Sequence, residues 1–331
     1  MLNTMVSQER IAKGMYWQRS WSLVGGCTPV STGCENCWAC AEAHMRAGQS
    51  NKKIKARYAG LTTPGGKWNG SIRLHTDRFR IPLQVKKPTV WVVWNDLFNE
   101  AVTDNFIRQA FWTMKGAPQH IFLILTKRPG RMAELLNLWD WNLRDGAYDR
   151  RPLPNVWLGI SAENQATADE RIPLLLQTPA AVRFVSCEPL LGQIDLDMVV
   201  CECNQHYAEG CYNTLTGEWW PALGDADKEY DEHIKDLPKL NLVIAGGETG
   251  SSARPCHPNW VRSLRDQCQA AGVPFWFKSW GEWRRALPPH DEIWDGNPPK
   301  MRPEHGTYFI RLGKKQAGRL LDGREWSEFL E

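Results

Sequence analysis

The sequence predicts an α/β protein built on a partial or closed (β/α) barrel. Three observations support this fold class: short apolar runs recur along the chain, helix-length segments separate most of them, and no G-x-G-x-x-G follows the first run. Because the runs are apolar throughout rather than alternating, we expect a parallel sheet covered on both faces. A doubly wound sheet is the alternative.

Seven apolar runs rich in β-branched and aromatic residues predict the strands. They are WSLVG at 21–25, TVWVVW at 89–94, HIFLILTK at 120–127, NVWLGIS at 155–161, VRFVSCEP at 182–189, NLVIAGGE at 241–248 and VPFWFKSW at 273–280. The helices are predicted at the amphipathic segments DNFIRQAFWTMKG, ATADERIPLLLQT and PNWVRSLRDQCQAAG, the last of which ends at a glycine.

Two regions interrupt this alternation and define the predicted domains. Residues 196–240 carry three cysteines and an acidic stretch between two strands, which predicts an inserted subdomain or lid. Residues 284–331 begin with a proline-rich stretch and predict a C-terminal extension that packs on the barrel and ends in a short helix near REWSEFLE. The barrel core then comprises residues 1–195 and 241–283.

Composition predicts a globular protein of the cytoplasm. The chain has 331 residues, of which 42 % are hydrophobic, and its apolar runs are too short to span a membrane. Its N-terminus has neither an apolar core nor a cleavage site for secretion. The 40 basic residues nearly balance the 37 acidic ones, so the net charge of +3 does not by itself indicate nucleic-acid binding. Eighteen tryptophans predict a Trp-rich core or stacking on flat substrates.

The loop GCTPVSTGCENCWAC, residues 26–40, is the densest cluster of cysteines. In a reducing compartment, cysteines are metal ligands, reactive thiols or core residues rather than disulfides. Cys27, Cys34 and Cys37 have the spacing C-x6-C-x2-C, which suits an iron–sulfur cluster or zinc, with free thiols as the third alternative. Structural zinc needs a fourth ligand, for which Cys40 and His44 are candidates, whereas a 4Fe–4S cluster on three cysteines leaves one iron open.

Polar residues that follow the apolar runs are the other candidates, because the reactive groups of a parallel barrel lie at the C-terminal ends of its strands. Taken singly, each is also explained as a turn residue, a helix cap or a surface charge. The candidates are Asn95, Asp96, Thr126, Lys127, Ser161, Glu163, Asn164, Cys187, Glu188, Gly246, Gly247, Glu248 and Lys278.

The segment GGETG at 246–250 has two possible explanations. Its glycines allow a ligand to approach the backbone, and Glu248 can accept a hydrogen bond from an ammonium group. This combination suits the amino-acid end of S-adenosylmethionine. A glycine turn followed by a helix-capping acid is the alternative.

Over nearly its whole length the chain resembles a phage and prophage protein family that is similar to a divergent branch of the radical S-adenosylmethionine (SAM) enzymes. The stretches that carry the resemblance are GCTPVSTGCENCWA, DLFNE, LTKRPGRM, LGISAENQATADERIPLLL, SCEPLLGQID, GGETGSSARPCHPNWVRSLRDQC, VPFWFKSWGEW and GKKQAGRLLDGREW. The resemblance implies a barrel of the radical SAM/TIM type, a 4Fe–4S cluster on Cys27, Cys34 and Cys37, and SAM as the cofactor.

The resemblance also implies residues for the cofactor. Gly246, Gly247 and Glu248 correspond to its GGE motif, although here the motif follows a late strand. Ser161, Glu163 and Glu188 are the alternative contacts, with Asn95 and Asp96 at a neighbouring strand end. The first two loop cysteines are six residues apart rather than three, and Asn36 stands where an aromatic residue is usual.

Related enzymes of the branch imply a function in DNA hypermodification. The resemblance implies a radical isomerase that rearranges an amino-acid-modified thymine in phage DNA, in the cytoplasm of the bacterial host. The expected partners are that DNA and a reducing electron donor such as flavodoxin, and no membrane; the oligomeric state stays open. The residues expected to face base or phosphate are Lys127, Arg128, Arg131, Arg254, His257, Lys278 and Trp280.

The insertion has its own cysteine pattern, C-x-C-x2-H-x4-C, formed by Cys201, Cys203, His206 and Cys211. This pattern predicts a zinc knuckle or an auxiliary cluster, with purely structural cysteines as the alternative. Two other functions stay open for the whole chain. One is a DNA photoproduct-type repair lyase with the same cofactor, and the other is a non-catalytic, zinc-stabilised barrel that binds nucleic acid or a protein partner.

Overall fold

The structure is a computed structural model that describes residues 2–139, 152–201, 210–221, 236–286, 301–304 and 307–330. The chain divides into two compact units. The first unit comprises Met1–Ser161 and Arg171–Phe184, and the second comprises Ala162–Glu170 and Val185–Leu330. The predicted boundaries of a core, an insertion and an extension stay predictions.

The described residues form fifteen strands and ten helices. The strands are β1 (Arg19–Trp21), β2 (Val24–Gly25), β3 (Arg73–Leu74), β4 (Val90–Val93), β5 (Ile121–Thr126), β6 (Val156–Ser161), β7 (Val182–Cys187), β8 (Val199–Cys201), β9 (Gly210–Asn213), β10 (Glu218–Pro221), β11 (Leu242–Ala245), β12 (Phe275–Phe277), β13 (Trp283–Arg285), β14 (Met301–Glu304) and β15 (Thr307–Arg311). The helices are α1 (Leu2–Met5), α2 (Gln8–Ala12), α3 (Trp38–Ala47), α4 (Lys52–Tyr58), α5 (Arg80–Leu83), α6 (Asp104–Lys115), α7 (Pro129–Asn137), α8 (Gln165–Leu176), α9 (Pro258–Ala271) and α10 (Lys314–Ala317).

The main sheet contains seven strands in the order β1-β4-β5-β6-β7-β11-β12. The pairs β1/β4, β4/β5, β5/β6 and β11/β12 are parallel. Each strand lies beside the strand of this sheet that precedes it in the chain, so the order never reverses. Doubly wound sheets contain such a reversal, which excludes that alternative. The prediction of a partial α/β barrel is therefore confirmed at the level of the fold class.

Six of the seven predicted runs each contain one strand of the main sheet, but the first run is divided between two sheets. Trp21 ends β1, whereas Val24 and Gly25 form β2, which pairs antiparallel with β3. The prediction of one strand over 21–25 is therefore wrong. The cause is a close approach of the chain after β2, where a Cβ at Gly26 (φ +87°) would lie 2.0 Å from the carbonyl oxygen of Ser71.

The buried strand β6 shows why the runs are apolar throughout. All six of its residues are buried. Gly159 in its centre leaves room for an aromatic side chain, because a Cβ there would lie 2.4 Å from the ring of Phe184 on β7. A residue with a side chain at this position would displace that ring, so the glycine is a packing requirement.

The predicted helices are confirmed as α6, α8 and α9, and α9 ends at the predicted glycine. The side chain of Thr103 accepts a hydrogen bond from Phe106 N at the start of α6. In α9, Nδ1 of His257 accepts a hydrogen bond from Asn259 N, and Gly272 ends the helix in the left-handed conformation at φ 67°.

The insertion and the C-terminal region each contribute a small antiparallel sheet to the second unit. The strands β8, β9 and β10 form one, and β13, β15 and β14 form the other. The short helix predicted near REWSEFLE is wrong, since residues 324–330 are not helical. Instead Phe277 N donates to Trp326 O at 3.0 Å and Glu328 N donates to Phe275 O at 3.2 Å, so this segment pairs with the edge of β12.

The sequence predicts no membrane-spanning segment. Among the described residues, no helix has the length and apolar character needed to cross a bilayer.

Candidate functional site

The three cysteines of the loop follow three different local structures in the first unit. Cys27 comes two residues after β2, Cys34 ends a single 3-10 turn, and Cys37 is the N-cap residue of α3. All three residues are half-buried. The loop is therefore held at both ends, by the β2–β3 pair before Cys27 and by α3 after Cys37.

Two of these thiols have pKa values shifted in opposite directions. Burial and, after it, the charge of Asp96 raise the pKa of the Cys27 thiol to about 12. Burial also opposes ionisation of Cys34, but the charge of Lys127 and hydrogen bonds from the preceding turn outweigh it and lower the pKa of this thiol. Because the thiolate is the metal-binding form, Cys34 is the better prepared ligand of the two.

The three thiols of the loop are soft donors of the kind that bind iron–sulfur clusters and zinc. Besides burial and Asp96, the charges of Cys37 and Cys34 also raise the pKa of Cys27, so the three sulfurs lie within electrostatic reach of one another. In the described part of the chain, however, no three His, Cys, Asp or Glu side chains converge on one point as metal ligands do.

The two candidates for a fourth zinc ligand are bound to the segment that follows α4. The Sγ of Cys40 donates to the carbonyl oxygen of Gly66 at 3.2 Å, and burial raises the pKa of this thiol to about 11. Nδ1 of His44 lies 3.0 Å from Oγ1 of Thr62. Both side chains thus fasten α3 to residues 62–66, which favours a structural role for them.

A buried carboxylate, Asp96, connects the ends of β4 and β5. Its Oδ1 accepts hydrogen bonds from Phe98 N at 3.0 Å and from Oγ1 of Thr126 at 2.6 Å. Its Oδ2 accepts from Lys127 N at 3.2 Å and from Nη1 of Arg128 at 2.9 Å. Four donors therefore surround a carboxylate that burial would otherwise destabilise.

Arg128 extends this network to the cysteine loop. Its Nη2 donates to the carbonyl oxygen of Thr28 at 3.0 Å and also to the Thr28 hydroxyl. Nδ2 of Asn99 donates to the same hydroxyl at 2.9 Å. On the other side, Nε of Arg128 donates to both carboxylate oxygens of Glu100, at 2.7 and 2.8 Å. The residue after Cys27 is thus fixed by side chains from two strand ends.

The basic residues of TKRPGRM make their contacts inside the first unit. Nζ of Lys127 donates to Oγ of Ser31 at 3.1 Å, within the cysteine loop. Arg131 donates to backbone carbonyl oxygens and to Asp104 at 2.9 Å. These contacts, with those of Arg128, support a positioning role in place of the predicted phosphate contact, which stays a prediction.

Asn95 ties the same strand end to β2. It has a left-handed backbone at φ 61°, and its Nδ2 donates to the carbonyl oxygen of Val24 at 3.0 Å. Asparagine tolerates this conformation better than most residues. Asn95 and Asp96, predicted as cofactor contacts, therefore both hold the cysteine loop against the sheet.

In the second unit, the carboxylate of Glu248 forms an ion pair with an arginine. Its Oε1 accepts from Nη2 of Arg254 at 2.7 Å, and its Oε2 accepts from the Arg254 Nε and backbone N at 3.0 and 2.8 Å. The side chain of Glu248 is 4 % exposed. Its predicted partner, an ammonium group, would have to displace this bidentate pair.

Of the two glycines before Glu248, Gly247 is required by packing within the second unit, whereas Gly246 lies beside the flexible end of the Glu188 side chain. A Cβ at Gly247 would lie 2.0 Å from the carbonyl oxygen of Trp280, and a Cβ at Gly246 would lie 2.7 Å from Oε1 of Glu188. The indole nitrogen of Trp280 donates to the carbonyl oxygen of Leu320 at 2.9 Å, and its ring is buried. Trp280 is therefore a core residue, and its predicted contact with a base has no exposed ring face to support it.

Glu188 and Lys278 form a second charged pair at strand ends of this unit. Nζ of Lys278 lies 3.0 Å from Oε1 of Glu188, and Oγ of Ser186 donates to Oε2 at 3.1 Å. The side chain of Glu188 is 14 % exposed and that of Lys278 is 19 % exposed. This pair is therefore more open to solvent than Glu248 and lies beside Gly246.

The remaining predicted residues are placed as follows. Ser161 is buried at the end of β6, and its carbonyl oxygen accepts from Nη1 of Arg171. Glu163, also buried, is held through its backbone, since its N–H donates to the Thr167 hydroxyl. Besides capping α9, His257 places Nε2 3.0 Å from Oγ1 of Thr307.

The metal site predicted in the insertion lies largely outside the described residues. Cys203 and His206 are not described, whereas Cys201 in β8 and Cys211 in β9 are described only by their backbone. In the antiparallel pair β8/β9, Cys201 is opposite Gly210 and Cys211 is opposite Val200. The zinc knuckle or auxiliary cluster stays a prediction.

Three residues that hold the cysteine loop are not predictable from the sequence motifs. They are Thr28, Asn99 and Glu100, which contact Arg128 or one another through hydrogen bonds. The position of Thr28 beside Cys27 is its only sequence signal. Asn99 and Glu100 lie within DLFNE, a stretch that carries the family resemblance but no recognisable chemical motif.

Comparisons with known proteins give one match. No curated protein and no solved structure matches the chain. One family model, described as a protein of unknown function (DUF5131), matches residues 12–330. The chain therefore belongs to this family.

Proposed function

We propose that this protein is a radical SAM enzyme whose 4Fe–4S cluster is held by Cys27, Cys34 and Cys37. The observation that carries the proposal is the cysteine loop, in which three half-buried thiols have the spacing C-x6-C-x2-C and a buried network of side chains holds Thr28 beside the first of them. The partial α/β barrel and the resemblance of the sequence to radical SAM enzymes support the same conclusion.

The residues around the loop prepare it for an electron-rich ligand set. Arg128 and Asn99 hold Thr28 and thereby the backbone next to Cys27. Lys127 favours the thiolate of Cys34 and balances part of the negative charge that three thiolates bring together. When bound, a reduced cluster would supply the one electron that cleaves SAM into methionine and a 5′-deoxyadenosyl radical, and this radical would take a hydrogen atom from an unactivated C–H bond.

For the amino-acid end of SAM, we assign Glu188 and Lys278 rather than Glu248. The carboxylate of Glu188 can accept from the ammonium group, and Lys278 can pair with the carboxylate. Glu248 is less suitable because its side chain is 4 % exposed and accepts three hydrogen bonds from Arg254, whereas the side chain of Glu188 is 14 % exposed. The backbone of Gly246, which has no side chain to shield it, borders the same pair.

The substrate we propose is an amino-acid-modified thymine of phage DNA, which the enzyme isomerises, with a flavodoxin-type protein as the electron donor in the host cytoplasm. The support for this substrate is the family resemblance. A photoproduct-type repair lyase would share the cluster and SAM but would act on ultraviolet-damaged DNA. Assays with the two kinds of DNA distinguish these reactions.

The first test is the metal content of protein purified without oxygen. We expect about four irons and four sulfides per chain, and an electron paramagnetic resonance signal of the reduced protein that changes when SAM is added. Cys34→Ala should lose the iron, whereas Cys256→Ala, which removes a buried thiol of the second unit, should retain it. Zinc without iron, or wild-type iron in Cys34→Ala, would refute the proposed ligand set.

The second test separates the two candidate carboxylates. Glu188→Gln should weaken SAM binding, measured by calorimetry, by about tenfold, because a charge-assisted hydrogen bond is lost. Glu248→Gln should instead lower the urea midpoint of unfolding, because it breaks the pair with Arg254. If only Glu248→Gln weakens SAM binding in folded protein, the assignment must be reversed.

A further inference from the structure

The charge of the chain is unevenly distributed. Residues 46–87 contain eleven Lys and Arg residues but only one acidic residue, Asp77, although the whole chain has 40 basic and 37 acidic residues. The small net charge of +3 therefore conceals a strongly basic segment within the first unit. This segment begins within α3, the helix that follows Cys37.

The helix α4 separates the apolar and basic residues of this segment. Ile54 and Tyr58, one turn apart, pack in a cluster with Ala43, Leu61 and Ala47. The three lysines of the helix lie on its exposed side and form no ion pair with any described residue; they are Lys52, Lys53 and Lys55. The basic side of α4 is therefore available to a partner.

Two arginines of this segment repel each other. Burial, and then the charge of Arg57, lower the pKa of both His75 and Arg78. The lowered pKa of His75 favours its neutral form, so the cations here are Arg57 and Arg78. Nε of Arg78 is buried and has no hydrogen-bond partner among the described residues. An anion bound beside the two arginines would offset their repulsion.

The basic segment is joined directly to the cysteine loop. Arg73 in β3 is paired with Gly25 in β2, two residues before Cys27. Nζ of Lys67 donates to the carbonyl oxygen of Glu35, between the second and third cysteines, at 2.7 Å. A molecule bound to this segment would therefore lie next to the loop.

An exposed aromatic ring stands directly after the third cysteine of the loop. Trp38 follows Cys37, is 51 % exposed, and is buttressed edge-on by Trp94 with ring centroids 4.8 Å apart. Lysines that track phosphates beside an aromatic ring that stacks on a base are the usual elements of single-strand binding sites. A lipid surface is a poorer fit, because the apolar side chains of α4 are packed on α3 and cannot enter a bilayer.

We propose that residues 46–87 form a nucleic-acid binding surface that holds the phosphate backbone of DNA beside the cysteine loop, with Trp38 stacking on a base. This proposal depends on the proposed function in one respect, namely that the surface presents a DNA base to the enzyme. It differs from the sequence prediction, because Arg128 and Arg254 are occupied by internal carboxylates. Binding through phosphates is independent of sequence and sensitive to salt.

The test is fluorescence anisotropy of a labelled 20-nucleotide single strand and its duplex, titrated with the full-length protein at several salt concentrations. The variant reverses three charges, Lys52→Glu, Lys53→Glu and Lys55→Glu. We expect it to weaken binding by about tenfold or more at roughly 0.1 M salt, and to reduce the slope of log affinity against log salt by about 3. The effect should be equal for unrelated sequences.

The matched control reverses three exposed basic residues of the second unit, Lys239→Glu, Arg284→Glu and Arg285→Glu. This variant should bind DNA within about twofold of the wild type, since non-contacting charges act weakly at that salt. Circular dichroism and urea unfolding verify that both triple variants fold. Equal losses in the two variants, or no loss in the α4 variant, would overturn the proposal.

Two further measurements complete the test. Trp38→Ala should weaken single-strand binding by about tenfold while leaving the salt slope unchanged, because stacking releases no counterions. Binding to phosphatidylserine vesicles without binding to DNA would overturn the proposal in favour of a lipid surface. Iron analysis of the same preparations keeps the two proposals apart, since DNA binding by residues 46–87 does not require the cluster.

Discussion

Replacing Arg128 with methionine tests whether the buried network stabilises the first unit. The side chain of Arg128 is 5 % exposed and that of its partner Asp96 is 9 % exposed, so the substitution leaves a buried carboxylate without its cation. Removing one member of a buried ion pair costs about 3–5 kcal/mol. Asp96 retains its hydrogen bonds from Phe98, Thr126 and Lys127, which places the expected loss at the lower end, about 3 kcal/mol.

The assay is urea unfolding followed by circular dichroism at neutral pH. The midpoint should fall for Arg128→Met while the denaturant slope stays constant, as expected for a change in stability alone. The control is Glu100→Gln, which removes the other carboxylate bound to Arg128. Because Glu100 is 67 % exposed, its loss should cost less than about 1 kcal/mol.

A second readout connects the network with the cysteine loop. Arg128→Met removes two hydrogen bonds to Thr28, so the backbone amides of the cysteine loop should exchange with deuterium faster in metal-free protein. Glu100→Gln should leave that rate near the wild-type value. If the two variants have midpoints and exchange rates that agree within error, the buried pair neither stabilises the unit nor anchors the loop.

Three other predictions concern single side chains. Lys127→Met should raise the pKa of Cys34 and move the pH profile of its alkylation in metal-free protein towards alkaline pH; an unchanged profile would contradict the role of this charge. Gly247→Ala puts a Cβ 2.0 Å from a carbonyl oxygen and should lower the free energy of unfolding by about 1–3 kcal/mol. At Gly130 a Cβ would meet open space, so Gly130→Ala should leave the free energy of unfolding unchanged or raise it. Equal urea midpoints for Gly247→Ala and Gly130→Ala would refute the packing argument. Burial raises the pKa of Cys256 to about 12, so the unfolded chain loses this proton first and stability falls as pH rises above the ordinary thiol value. Between roughly pH 9 and 11, the free energy of unfolding should fall with pH by about 1 kcal/mol per pH unit less in Cys256→Ala than in the wild type. If urea unfolding gives the same pH dependence for both proteins, the prediction is refuted.

The features of the fold that depend on local sequence were predictable. Continuous apolar runs identify the strands of the main sheet because both faces of such strands are buried, as all of β6 is. The cap and C-terminal glycine of α9 are likewise local signals. The first run was misread because the pairing of β2 with β3 joins residues about 50 positions apart and depends on the close approach at Gly26.

The candidate site was predictable as a set of residues but not as a set of contacts. Asp96 and Arg128 were each recognised as polar residues at strand ends, yet their ion pair depends on β4 and β5 being neighbours. Glu248 was read as a ligand for an ammonium group because nothing in GGETG indicates that Arg254, six residues later, folds back onto it. The basic segment went unrecognised because a net charge averages over the chain.

The C-terminal segment that pairs with β12 also has a consequence for biosynthesis. Because the strands of the main sheet are added in chain order, the sheet grows in the direction of translation and its newest strand always offers free backbone groups. Such groups are a template for association with other chains. The free backbone groups on the outer edge of β12 are paired only when residues 326–328 have been added. A nascent or proteolysed chain that lacks them would be expected to aggregate, even though every strand of its sheet is already present.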